Sequence, residues 1–286
     1  MTRRRTLAAP VAVSGVGIHT GTHATVRVHP AAPGEGVVFD VTAPGSRGQI
    51  PASVARVADT RRCTMLADES GENAVLTVEH LLSAFAGLGV TDAVVEVTGA
   101  EMPIGDGSAL FWADALRGAG FLDAPEDPAH SHRPEAVAPF ALTAPVQVTG
   151  TNGAFAVAYP ADRFRATVAA VFDHPLVGTQ VARFDSATDD YAAAVAPART
   201  FGFIEEVEAL LAAGLARGGS FDNAVVVYPD RYSSELRFPD ELARHKLLDL
   251  MGDLFLAGRG PLPPVEVFAV KPSHRLNVEL AARLRG

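Results

Sequence analysis

His245, Asp249 and Asp253 recur every fourth position in "RHKLLDLMGD". Residues four apart share one face of an α-helix, so one imidazole and two carboxylates line a single side there. Leu247, Leu248, Leu250, Met251, Leu254 and Phe255 make the helix otherwise apolar. Buried carboxylates are costly unless paired or metal-bound, so the row needs a reason. One reading is an i,i+4 ion pair of His245 with Asp249. The other is chelation: an imidazole nitrogen and a carboxylate oxygen one turn apart can share a divalent ion, and catalytic zinc usually takes three protein ligands plus water.

His80, in "TVEHLLSAF", is the candidate third ligand, although alone it also reads as a core histidine satisfied by a hydrogen bond. Glu79 beside it suits a general base for a metal-activated water. Consecutive helix positions diverge by about 100°, so only local geometry decides whether both point inward. His274, in "KPSHRLN" just past the strand-like "VEVFAV", is a candidate acid for a leaving group. Asp253 is placed to hold that imidazole and raise its pKa. The other six of the nine histidines (His19, His23, His29, His130, His132 and His174) are expected in solvated turns, strand edges or a linker.

These residues need a scaffold, and the chain is long enough for two domains: 286 residues, 48% hydrophobic, leave material for a sizeable core. Net charge is −9 with no basic stripe, which argues against a nucleic-acid partner. The single cysteine, Cys63, excludes internal disulfides and fits a reducing, cytoplasmic location. It also means that any metal site must be built from histidine and carboxylate. No apolar run reaches the length of a membrane span. Three arginines ahead of an apolar run at the start imitate a secretion signal, but Pro10 and Gly15 break that run, so a first strand is expected instead.

The clearest punctuation is "LDAPEDPAHSHRPEAVAP" from Leu122, which divides the chain into a domain over 1–121, a linker over 122–136 and a second domain over 137–286. "HATVRVHP", "GVVFDV" and "DAVVEV" read as strands before it, with helices over "VLTVEHLLSAFAG" and after Ser108. After it, "GAFAVAYP", "RATVAAVFDHP", "NAVVVYPD" and "VEVFAV" read as strands. "FGFIEEVEALLAAG", Pro239 to about Ala257 and the last residues read as helices. "LLSAFAGLGVTDAVVEV" faintly repeats in "LLAAGLARGGSFDNAVVVY", a hint of two related halves. The pattern predicts an α+β fold, each half a sheet covered by helices. H-E-x-x-H, P-loop and G-x-S-x-G motifs are absent.

Taken together, "GVGIHTG", "TVEHLLSAFAGLG", "PIGDGSA", "ARTFGF", "GLARGGSFDNAVV" and "RHKLLDLMGDL" resemble the UDP-3-O-acyl-N-acetylglucosamine deacetylase family, zinc amidases of lipid A synthesis. The resemblance covers essentially the whole chain. It implies two domains of like topology, each a sheet with two helices, with the active site at their interface. It makes His80, His245 and Asp249 the ligands of one zinc, Glu79 the general base and His274 the general acid tuned by Asp253. Thr200 would help stabilise the oxyanion. Phe201 and Lys246 would lie along the sugar nucleotide, and Gly219 on the loop flanking it. An insert including Phe203 to Gly219 would build the passage for the acyl chain. A monomer is expected, and iron(II) would suit the same donors as zinc.

Three features depart from the family pattern. Ser273 stands where glycine is usual before the catalytic histidine, and would be strained if that position needs φ > 0. Arg61 and Arg62 add charge where many members have less, and the chain ends soon after His274. Two other readings stay open on these grounds: a non-catalytic relative that binds a nucleotide sugar or acyl lipid, and a zinc amidase for another N-acetyl sugar.

Overall fold

Strand-forming runs here alternate in the way a half-wet sheet requires. In His23–Pro30, Ala24, Val26 and Val28 are buried while His23 and Arg27 face solvent. The computed structural model describes residues 4–43, 46–124, 142–214, 216–258 and 262–285. The chain opens with β1 (Arg4–Leu7), β2 (Val11–Val16), β3 (His23–Pro30), β4 (Val37–Ala43) and β5 (Ser46–Pro51). A 3-10 turn at Val54–Arg56 leads to β6 (Val57–Asp59), β7 (Met65–Ala67) and β8 (Ala74–Val75). Then come α1 (Glu79–Leu88), β9 (Ala93–Thr98), α2 (Leu110–Ala119) and β10 (Phe121–Ala124).

The second half runs β11 (Val146–Thr149), β12 (Phe155–Pro160), β13 (Arg165–Val171), β14 (Thr179–Asp185), α3 (Tyr191–Ala194) and β15 (Phe201–Phe203). It continues through α4 (Ile204–Ala212), β16 (Val225–Val227), α5 (Glu241–Phe255), β17 (Val265–Val270) and α6 (His274–Arg285).

Two five-stranded sheets share one plan, β2-β3-β9-β4-β5 and β11-β12-β17-β13-β14. In both, the last strand enters the centre, antiparallel to one neighbour and parallel to the other. The fold is therefore the α+β pair of like halves that the residues predict. Helix α5 covers β13 and β14, α6 covers β11 and β12, and α2 lies against β2. Helices α1 and α5 pack on each other, so that both layers join in one apolar core.

Several boundaries differ from the sequence reading. Helix α1 begins at Glu79, because Ala74–Val75 is a strand, Leu76 bridges to Glu101 and Thr77 takes a left-handed turn at φ 62°. Phe201–Phe203 is strand rather than helix; it pairs in parallel with Val225–Val227, and its rings meet Phe172. The faint repeat also joins elements that are not equivalent. Its first copy is α1 and β9, the centre of a large sheet, whereas its second is α4 and β16, part of a two-stranded insert. The true counterparts of α1 and β9 are α5 and β17. Residues 122–124 of the expected linker belong to β10, which pairs with β1; 125–136 lie outside the described residues.

One buried ion pair fixes the start of α5. Glu241 is fully buried and accepts from Arg199 N–H (3.0 Å), Arg199 Nε (2.8 Å), Arg199 Nη2 (3.1 Å) and Arg237 N–H (2.6 Å). Burial raises the Glu241 pKa, but the Arg199 bonds outweigh it and hold the carboxyl below its ordinary 4.5. Stability from this pairing is thus complete above that value and is lost as pH falls below it. Glu241→Gln should cost about 3–5 kcal/mol in urea unfolding at pH 7, since it leaves a buried guanidinium unpaired. A loss under about 1 kcal/mol would show that Arg199 finds water instead.

Candidate active site

Helix α1 is buried from Glu79 to Ala86, as befits a helix apolar on nearly every side. Helix α5 crosses its first turn at Gly252, where a Cβ would lie 2.1 Å from the Glu79 carbonyl oxygen. Only glycine permits that approach. It brings Glu79 and His80 beside His245, Asp249 and Asp253.

His80 Nδ1 donates to the Ser108 carbonyl (3.2 Å) and His245 Nδ1 to the Ala198 carbonyl (3.1 Å). Carbonyls only accept, so each ring keeps its proton on Nδ1 and presents the Nε2 lone pair. His245 Nε2 lies 3.4 Å from Asp249 Oδ1. Ligand atoms of His80, His245 and Asp249 all fall within 4.8 Å of one another. Asp249 Oδ2 accepts from Lys246 Nζ (2.9 Å), while Asp249 Oδ1 is buried with no hydrogen-bond partner among the described residues.

That bare oxygen bears on the two readings of the row. A neutral imidazole whose Nδ1 proton is committed to the Ala198 carbonyl has none to give Asp249. Two lone pairs and a carboxylate oxygen converging in a buried site fit a divalent cation. Burial pushes His245 down to about 4 against the upward pull of Asp249, which keeps the ring neutral near pH 7. Burial also opposes ionisation of Asp249, but Lys246 and then the histidines hold that carboxyl far below its usual range.

Next to the trio stand Glu79 and His274. Glu79 Oε2 accepts from Thr64 N–H (3.0 Å), and Glu79 Oε1 faces His274 Nε2 across 3.9 Å. Burial pushes the Glu79 carboxyl up to about 8, with His274 opposing. His274 Nδ1 donates to Asp253 Oδ2 (3.0 Å), which also accepts from Asn277 Nδ2 (2.9 Å), and Thr64 Oγ1 binds Asp253 Oδ1 (2.6 Å). For His274, burial acts downward but Asp253, Asp249 and Glu79 together outweigh it, to about 9. The His274 cation and the Glu79 carboxylate thus each favour the other's charged form.

The strain expected at Ser273 is not there. Lys271 carries the positive φ, 51°, and Ser273 does not. Ser273 Oγ accepts from Leu276 N–H (3.4 Å), the bond of an N-cap at the start of α6. Serine thus starts the helix that carries His274.

Glu79, His80, His245, Asp249 and His274 line a cavity of about 610 Å³, and so do Thr200, Phe201, Gly219 and Lys246. Thr200 is fixed by its N–H to the Gly107 carbonyl (2.7 Å). Phe201 meets His245 edge-on at 6.0 Å, and Lys246 Nζ sits 5.5 Å above the Phe201 ring. Phe172, Phe203, Val207 and Leu210 make one wall apolar. Arg61 and Arg62 are on the rim; Arg61 pairs with Asp59 (2.6 Å) and Arg62 with Glu206 (3.7 Å).

The structure corrects the expectation that His19 sits in a solvated turn. The residue lines the cavity, its Nδ1 is buried without a partner among the described residues, and burial pushes its pKa down. Glycines around it in "GVGIHTG" were the available signal. Asn277 was also missed, although it stands one helical turn after His274 and so near the same partner. His29 pairs with Glu96 (3.2 Å), and His174 stacks against Phe203 at 5.2 Å. His23 is exposed, whereas His130 and His132 lie outside the described residues.

A buried trio of two histidines and one carboxylate beside Glu79 and His274 fits a class, the metal-dependent hydrolases. Residues 4–285 match a family model described as LpxC: UDP-3-O-acyl N-acetylglycosamine deacetylase. A Leptospira biflexa protein named UDP-3-O-acyl-N-acetylglucosamine deacetylase is 38% identical over 97% of this chain and 88% of its own length. Relatives of the same name from a Nostoc species and Trichormus variabilis are 39% and 40% identical, each over 99% of this chain and 98% of their own length. The chain belongs to this family and is an enzyme of the deacetylase class. Asp249→Ala should drop bound divalent metal well below one equivalent after dialysis, by elemental analysis, and weaken affinity by about 10²-fold or more. Full occupancy in that variant would exclude Asp249 as a ligand.

Proposed function

We propose that the protein is a zinc-dependent deacetylase that hydrolyses UDP-3-O-acyl-N-acetylglucosamine to UDP-3-O-acyl-glucosamine and acetate, the committed step of lipid A synthesis. The observation that carries the reading is Glu79 and His274 facing each other at 3.9 Å beside the His80, His245 and Asp249 trio. In the bound state the ion supplies Lewis acidity to the acetamide carbonyl and the attacking water.

The residues do the rest. Glu79 Oε2 is tied by Thr64, so Oε1 takes the water's proton. His274 holds a proton on Nε2, steadied through Nδ1 by Asp253, and passes it to the departing amine nitrogen. Thr200 supports the carbonyl oxygen as charge gathers there. Phe201 and Lys246 lie along the sugar, with Gly219 on the loop beside the nucleotide. The apolar wall from Phe172 to Leu210 suits the acyl chain, and the rim arginines suit an anionic ligand.

The working unit in this reading is a cytoplasmic monomer, with one domain over 1–121 supplying Glu79 and His80, a linker over 122–136, and a domain over 137–286 supplying His245, Asp249 and His274. No helix among the described residues is long and apolar enough to cross a membrane. Zinc is the proposed metal, and elemental analysis of protein as isolated separates it from iron(II).

The test is acetate release from UDP-3-O-acyl-N-acetylglucosamine of several acyl lengths, with and without chelator. Chelator-sensitive turnover with one preferred length is expected; metal-loaded protein without turnover would sink the reading. Glu79→Gln and His274→Gln should each lower kcat by about 10²-fold or more with metal content retained. Either variant turning over at the wild-type rate would remove that residue from the mechanism.

A further inference from the structure

Glu101 has no part in the chemistry above, yet its side chain is fully buried and accepts four hydrogen bonds. Oε1 takes the His19 N–H (2.9 Å) and the Thr77 hydroxyl (3.0 Å). Oε2 takes the Thr20 N–H (2.7 Å) and the Thr20 hydroxyl (2.7 Å). A Cβ at Gly17 would lie 2.3 Å from Oε2, so glycine is needed beside it. The residue itself is anchored: its backbone bridges to Leu76, and Met102 N–H donates to the Leu76 carbonyl (3.0 Å).

The turn that Glu101 holds closes on itself through Gly17 N–H to the Thr22 carbonyl (3.0 Å) and Gly21 N–H to the Gly17 carbonyl (3.0 Å). Its outer side takes backbone from the other half of the molecule. Gly218 N–H donates to the Ile18 carbonyl (3.1 Å) and Arg217 N–H to the His19 carbonyl (3.3 Å). A Cβ at Gly218 would sit 2.2 Å from the Gly17 carbonyl oxygen. Ile18 and His19 on the turn, and Ala216 and Gly219 on the facing loop, all line the cavity. One carboxylate therefore stands behind a backbone clasp that joins the two halves along the cavity rim.

We propose that Glu101 is a positioning residue for substrate binding: it holds the Gly17–Thr22 turn so that the turn clasps Arg217–Gly218 and shapes the rim of the cavity. Hydrogen bonds to an ionised acceptor are the stronger kind, and four of them leave the turn little freedom. Because the clasp touches neither Glu79 nor His274, its loss should appear in KM rather than in kcat. The inference rests on the proposed function for the identity of the substrate, but not for the clasp itself.

Two variants and two readouts test it. Glu101→Gln sets an amide donor against groups that themselves donate, and Gly218→Ala strikes the clasp from the opposite side. For each, KM for the UDP-linked substrate should rise by about tenfold or more, with kcat within about threefold and metal content unchanged. Hydrogen–deuterium exchange should speed up at 17–22 and 216–219 and stay slow in α1 and α5. The double variant should be no worse than the poorer single one, because both break one clasp. If Glu101→Gln fails to fold, Gly218→Ala carries both readouts. An unchanged KM with kcat falling in step with the folded fraction, or unchanged exchange at the turn, overturns the proposal. Should wild-type protein turn over no such substrate, the functional reading fails by itself, and exchange still decides the clasp.

Discussion

The contact between α1 and α5 at Gly252 is the constraint on which the rest depends. Each helix is buried on almost every side, and each belongs to a different half of the molecule. The missing side chain at Gly252 lets α5 rest on the Glu79 carbonyl. With any larger residue the helices stand further apart, and His80 loses its place beside His245 and Asp249. The cluster of His80, His245 and Asp249 is thus a product of interface geometry. Neither half contains it alone.

A dry core makes every carboxylate answer for its charge. Asp253 accepts three hydrogen bonds, and Glu101 and Glu241 four each. Asp92, also fully buried, binds Arg4, Thr91 and the amides of Gly34 and Gly36. By contrast, among the described residues Asp249 has one donor, on Oδ2, and no hydrogen-bond partner on Oδ1, and Glu79 has one donor, on Oε2. Satisfied acids hold the scaffold, while the under-satisfied ones face the cavity. That contrast distinguishes the carboxylates of the scaffold from those of the cavity without reference to any relative.

Much of this was legible beforehand. The four-residue spacing of His245, Asp249 and Asp253 needs only a helix to become a face, and the flanking leucines predict one. Strand periodicity located β3, β4, β9, β12, β13, β16 and β17. It failed where pairing overrode local pattern, as at Phe201–Phe203, where a parallel partner and ring contacts hold an extended segment. The apparent repeat misled for a related reason: helix, glycine turn and strand recur in any α+β chain, so the motif does not report which sheet the strand joins. At Ser273, the expected strain moved to Lys271, because the turn into α6 begins two residues earlier.

What the sequence determined alone were the local terms: most of the helices and strands, which faces are apolar, and the row of imidazole and carboxylate groups along one helix. These follow from neighbours within a few residues of each other, where steric preference and periodicity act directly. Only the tertiary structure decided that His80 joins that row, that His274 meets both Asp253 and Glu79, and that His19 belongs to the cavity through a clasp anchored on Glu101. Each of those contacts joins residues at least 21 positions apart. Their distances are set by how buried helices and turns fit together, a balance of close packing and desolvation that no short window of residues contains.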